Sequence, residues 1–232
     1  MNITPKQVLT LAAKYIGYKE KASDKDLYSF EDNAGRGNFT MFQAELDKAK
    51  FWNTPKNGYE WCTSFVAWCF WRIAGSEAKD VLCLTGQYGA SCVSWAKYYA
   101  AQARLFTKPQ VGDQYFQRGS DGLPCHTGIV ERVNGNTFTT IEGNAGNMVK
   151  RVNRKLDSDV YGFGRPKYTA ESEDEEMARW KTIEDVPEGF YRDTVKQLID
   201  DGIIKGKGDG VIDLTEDMLR VMIFCQRIMG KA

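Results

Sequence analysis

The sequence predicts an α+β protein in which N-terminal helices pack on an antiparallel sheet, and three observations carry that prediction. Residues 61–73 repeat apolar side chains at a helical period, with Cys62, Phe65, Val66, Cys69 and Ile73 on one stripe. After Pro109 the texture changes to short alternating segments separated by Gly, Asn and Asp turns. The two textures are segregated along the chain rather than interleaved, which favours α+β over α/β.

The helices come first. Thr4, Pro5 and Gln7 form a capping-box start with proline at the first helical position, and Val8, Leu11, Ala12, Tyr15 and Ile16 supply an apolar face, so helix one is expected over Pro5–Ile16 with a stop near Gly17. Tyr18 to Asn38 is polar and turn-rich, and its acidic residues lack the Asp-x-Asp-x-Asp-Gly spacing of a calcium loop. Asn38 is the expected cap of a second helix that buries Phe39, Phe42, Leu46 and Ala49. Pro55, Asn57 and Gly58 then mark a turn, placing Cys62 at the start of the third helix. A thiol there meets unpaired N–H groups and the positive end of the helix dipole, both of which favour the thiolate. Gly75 to Ser94 reads as irregular, and Ser94 opens a short helix carrying Trp95, Tyr98 and Tyr99.

Strands are expected at Gly112–Gln117, Thr127–Val133, Thr137–Glu142 and Tyr161–Pro166. His126, the single histidine, stands at the head of the second of these, with His126, Gly128 and Val130 on one face. The next strand offers Phe138, Thr140, Glu142 and Asn144 on one face. The two faces coincide only if the connecting turn is a three-residue loop, Asn134-Gly135-Asn136, or if an equivalent bulge shifts the register. Either Glu142 or Asn144 would then hydrogen-bond one imidazole nitrogen and leave the other facing Cys62. Thiolate, imidazolium and orienting side chain are the parts of a thiol hydrolase.

Composition limits the alternatives. With 232 residues, 42% of them hydrophobic, the chain has material for one main core and a smaller second one. Its net charge of zero is divided: residues 1–170 hold 22 Lys and Arg against 16 Asp and Glu, and residues 171–232 hold 9 against 15. The basic body has no dense Lys/Arg run of the kind that binds nucleic acid. No window approaches the roughly 18 apolar residues of a membrane span, and the first residues lack an export signal, so synthesis in the cytoplasm is expected. The six cysteines are read as reduced thiols, with Cys83 and Cys92 as the pair to check, and no CxxC or His-x(3–5)-His pattern suggests zinc.

Five motifs in order, Phe51 to Cys69, Gly112 to Phe116, His126 to Val130 (HTGIV), Thr140 to Asn144 (TIEGN) and Gly162 to Pro166, resemble the CHAP family of cysteine-histidine amidohydrolases and peptidases, in the variant found in phage and prophage endolysins of Gram-positive bacteria. The resemblance spans about residues 1–168. It implies a papain-like fold and cleavage of an amide bond in peptidoglycan, with Cys62 as nucleophile, His126 as base and acid, Glu142 as third member and Asn144 as an additional polar partner. The calcium loop of some family members has no counterpart here, so neither metal nor other cofactor is expected.

The expected organisation is a catalytic domain over residues 1–169, an acidic linker over 170–179 and a small helical module over 180–232. The module has a helix from about Gly189 to Asp201, with Val195, Leu198 and Ile199 inward, and a second from a Thr215 cap, with Met218, Leu219, Met222 and Ile223 inward. The stretch Ile183 to Gly210 resembles an S-layer homology unit, which implies wall binding or self-association into a homo-oligomer. The leading expectation is a peptidoglycan hydrolase released to the wall after synthesis. Two alternatives remain: a non-catalytic wall-binding module on the same fold, and a papain-like protease acting on proteins.

Overall fold

A computed structural model describes residues 3–85, 89–169, 179–205, 208, 210–215, 218–219 and 221–223. The chain divides into two compact units, Met1–Ala170 and Glu171–Ala232.

In the first unit, α1 (Pro5–Ala13) opens on the expected capping box, the Thr4 and Gln7 side chains satisfying each other's backbone N–H groups. It stops three residues short of the expected end. The chain then leaves the helix through Gly17, whose φ of +94° suits glycine, and the Gly17 N–H donates to Val149. Helix α2 (Met41–Lys48) is capped by Thr40, not Asn38. Asn38 instead takes a left-handed conformation (φ +57°), and the Thr40 N–H donates to the Asn57 side chain.

Helix α3 (Cys62–Ala74) is buried nearly all round over its first nine residues, not along the single stripe that the sequence suggests. One side meets an aromatic cluster centred on Phe42, whose ring lies 5.7 Å from Trp61, 5.1 Å from Phe65 and 5.0 Å from Trp68. The stretch expected to be irregular holds a 3-10 turn (Gly75–Glu77) and α4 (Ala78–Val81), and α5 (Cys92–Ala101) starts earlier than predicted because Ser91, not Ser94, is its cap.

The sheet is antiparallel throughout, with β1 (Leu105–Phe106), β2 (Gln114–Arg118), β3 (Pro124–Asn134), β4 (Thr137–Glu142), β5 (Lys150–Lys155) and β6 (Val160–Gly164) in the order β1-β6-β2-β3-β4-β5. Strands β1 and β5 were not expected. The architecture is an α+β papain-like domain, helices packed on an antiparallel sheet. Asp113 and Arg165, from two of the sequence motifs, join as a bidentate ion pair at 2.9 and 3.0 Å and tie the start of β2 to the end of β6.

The β3–β4 hairpin decides the site. Its turn is the two-residue Gly135-Asn136, since Asn134 pairs with Thr137. A bulge between Val130 and Arg132 then shifts the register, so that Val130 pairs with Thr140 and Ile129 with Ile141. Continued toward the strand end, that register sets His126 level with residue 144 and leaves Glu142 on the diagonal. The bulge does the work of the three-residue loop.

In the second unit, β7 (Arg179–Trp180) pairs with β8 (Leu214–Thr215), and α6 (Phe190–Asp200) buries Val195 and Leu198 against Val186, Ile204, Ile212, Leu214 and Leu219. Two expected core residues face outward: Ile199 is 36% exposed and Met218 is 44% exposed. Thr215 accepts a hydrogen bond from the Met218 N–H, as a cap would. Residues 170–178 of the expected linker lie outside the described residues. Among the described residues, no helix is long and apolar enough to cross a membrane.

Candidate active site

Cys62 is the first residue of α3, and Trp61 precedes it with no side-chain cap, so the first-turn N–H groups are not consumed by a capping side chain. Trp61 is fixed instead through its ring: the indole N–H donates to the buried Glu20 carboxylate at 2.7 Å. That bond, with the stacking on Phe42, anchors the helix start that carries the thiol. Glycine at position 143 lets β4 close on the same point, because a Cβ there would lie 2.4 Å from the Cβ of Phe65.

His126 projects from β3, and its Nε2 lies 2.9 Å from Oε2 of Glu142. Since Nε2 is engaged, Nδ1 is the nitrogen left for Cys62. Glu142 is completely buried and is held by more than the histidine. Arg154 on β5 donates from Nε and Nη2 at 2.6 and 2.7 Å, and the Thr140 hydroxyl donates to Oε1. Arg154 in turn stacks over Tyr115, 4.6 Å from the ring centroid. Glycine at 128 makes the approach of Glu142 possible, since a Cβ there would stand 2.5 Å from Glu142 Cγ.

The electrostatics follow from these contacts. A hydrogen bond with the Cys92 thiol is the largest influence on Cys62. Burial opposes it, the hydrogen bond and charge of His126 and the Thr63 N–H add to it, and the thiol is pulled down to about 5. Burial would lower His126, but its hydrogen bonds and charge interactions with Cys62 and Glu142 outweigh that and raise it to about 9. Burial would likewise raise the Glu142 carboxyl, yet the bonds from His126 and Arg154 hold it down at about 2. Around neutrality the site therefore carries a thiolate, an imidazolium and a carboxylate.

The structure brings Cys62, His126 and Glu142 together and leaves Asn144 aside. Asn144 adopts a left-handed conformation (φ +57°) after the strand ends, and its amide donates to Glu60. Three residues that the sequence reading does not assign to the site join it: Cys92, whose Sγ is 3.9 Å from that of Cys62, Arg154, and Glu20. Cys62, Cys69, Cys83, Cys92 and Cys125 are all free thiols, as the sequence reading expected, and Cys83 and Cys92, the pair to check, are not joined. Cys83 instead turns toward the carbonyl of Val81. Among the described residues no group of three or more His, Cys, Asp and Glu is arranged to hold a metal ion.

Such a site can carry out acyl transfer. The thiolate attacks a carbonyl carbon, the helix-start N–H groups face the developing oxyanion, and the imidazolium gives its proton to the departing amine. The neutral imidazole then takes a proton from the water that hydrolyses the thioester.

The CHAP domain family matches residues 54–144, a span that contains Cys62, His126 and Glu142. Among solved structures, "The crystal structure of Ly7917" is 17% identical with a TM-score of 0.43, covering 71% of this chain and 62% of that one. "The crystal structure of Ly7917 with the hydrolyzing product of MDP" is 18% identical with a TM-score of 0.43, covering 70% and 63%. The chain thus spans somewhat less than two thirds of the length of those structures. No curated protein matches the sequence.

Proposed function

We propose that the protein is a cysteine-dependent peptidoglycan hydrolase, in which Cys62 attacks an amide carbonyl of the bacterial wall, His126 transfers the proton and Glu142 orients and charges the imidazole. The supporting observation is the hydrogen-bonded chain from Arg154 through Glu142 to His126 and Cys62, inside the segment that matches the CHAP domain. The bond cut lies either within the stem peptide or between the sugar and the peptide. Turbidity loss of purified Gram-positive walls is the test. Cys62→Ala is expected to abolish it, and lysis at the parent's rate by that variant refutes the enzymatic reading. Mass spectrometry of the digest identifies the scissile bond, and cleavage of casein without release of amines from walls would point to a protease instead.

The second unit we assign to association, with another copy of the chain or with a wall polymer. Its support is the outward placement of Ile199, Ile203, Met218 and Val221 in a segment whose acidic balance opposes the basic body. Purely electrostatic attachment to an anionic wall would call for the opposite sign.

A further inference from the structure

Cys62 and Cys92 are each the first residue of a helix, α3 and α5, and the two helix starts converge so that the sulfurs lie 3.9 Å apart. The sulfurs are thus near van der Waals contact, and a disulfide, at about 2.0 Å, requires them to approach by about 2 Å more. Both residues are largely buried but keep 8% exposure each, whereas Cys69 and Cys83 have at most 1%. The two thiols are also chemically unequal. Cys62 lies against the imidazolium and the Thr63 N–H, and it carries the negative charge. Cys92 is held protonated, first by its hydrogen bond to Cys62 and then by burial. One sulfur is thus a nucleophile, and the other is a thiol held in contact with it.

We propose that Cys62 and Cys92 form an oxidative modification site, in which a hydroperoxide converts Cys62 to a sulfenic acid and Cys92 resolves it to a Cys62–Cys92 disulfide that masks the nucleophile until a thiol reductant restores it. The inference goes beyond the hydrolytic reading, because it needs the reactive thiolate but no substrate. In the first step the Cys62 thiolate attacks one peroxide oxygen, the O–O bond breaks, and hydroxide leaves. In the second, Cys92 sulfur attacks the sulfenic sulfur, the S–O bond breaks, and the Cys92 proton departs with the oxygen as water. Two thiols lose two electrons, and the peroxide gains them. Without Cys92 the sulfenic acid loses the thiol in contact with it, and further peroxide carries it to sulfinic acid, which thiols do not reverse.

The experiment treats the full chain with hydrogen peroxide, blocks free thiols with N-ethylmaleimide and maps the peptides by mass. The parent is expected to become about 2 Da lighter before blocking, to lose two blockable thiols, and to yield a peptide in which Cys62 is linked to Cys92, all reversed by dithiothreitol. Cys92→Ser is expected to give no such link and to accumulate Cys62 about 32 Da heavier, with no recovery on reduction. Oxygenated Cys62 beside a still-blockable Cys92 in the parent overturns the proposal, as does a link from Cys62 to Cys125. The readout is mass rather than lysis, so it stands if wall hydrolysis fails, and the parent's map decides even if the serine variant does not fold.

Discussion

Gly128→Ala isolates the positioning of Glu142 from its chemistry. Gly128 lies on β3 beside the glutamate, and its φ is not among the positive ones, so alanine adds volume without backbone strain. The new methyl would meet Glu142 Cγ at 2.5 Å and the Ile141 carbonyl oxygen at 2.9 Å. Carbon atoms settle at about 3.5 Å or more, so Glu142 must retreat by about 1 Å, and the Ile141 carbonyl oxygen, itself too close at 2.9 Å, crowds the methyl further. A retreat of that size stretches the 2.9 Å contact with His126 beyond hydrogen-bond range. Misplacement of a catalytic group by about 1 Å costs on the order of 100-fold in rate, whereas overpacking a well-filled site costs about 1–3 kcal/mol of stability. The variant should therefore remain folded by circular dichroism, lose wall-clearing turnover by about 100-fold, and show its iodoacetamide-reactive thiolate only at higher pH. A folded Gly128→Ala protein that keeps more than about a third of the parent turnover with an unshifted alkylation profile would refute the coupling of Glu142 to His126 and Cys62.

The pH profile of kcat/KM on soluble wall fragments should be a bell with limbs near 5 and 9, because the thiolate is lost as pH falls through the lower value and the imidazolium is lost as pH rises through the upper one. A profile still rising above pH 10 removes His126 as the acid. Light scattering and wall sedimentation of the full chain and of a chain ending at Thr169 test the second unit. Self-association that depends on residues 180–232 supports association between copies, and two monomers with wall binding lost on truncation leave the unit as a wall anchor.

Local signals in the sequence were reliable where one residue type does one job. The Thr4 and Gln7 capping box, the helix opening at Cys62 and the β3–β4 hairpin are of this kind. Strand β5 was not legible because its text, KRVNRK, has almost no apolar residue: Arg151, Asn153 and Lys155 face solvent at the sheet edge, where charged side chains discourage pairing with another chain. Asn38 and Thr40 are both good helix caps in isolation. Tertiary hydrogen bonds select between them, among them those from the Thr40 N–H to Asn57 and from the Gly58 N–H to the Asn38 carbonyl. Ile199 was placed inward by periodicity, but the small core is filled by Val195 and Leu198 on one narrow stripe.

The site divides in the same way. Cys62, His126 and Glu142 stand out as candidates in the sequence because each sits in a recognisable local setting; Cys92 and Arg154 do not, because one follows a patternless stretch and the other lies on the unrecognised strand. Their absence from the predicted site also left Glu142 and Asn144 indistinguishable, and Arg154 supplies the reason to separate them. A neutral amide can orient an imidazole, but beside a partly buried guanidinium it would leave a positive charge unbalanced. The carboxylate takes two hydrogen bonds from Arg154 and one contact from His126, so it is committed to its charge, and that charge favours the protonated imidazole. From Arg154 to Glu142 to His126 to Cys62 the signs alternate, each buried charge being balanced by its neighbour. The thiolate at the end of this series is stabilised first by the Cys92 thiol, then by the imidazolium that Glu142 keeps charged, and by the Thr63 N–H of the helix that bears it.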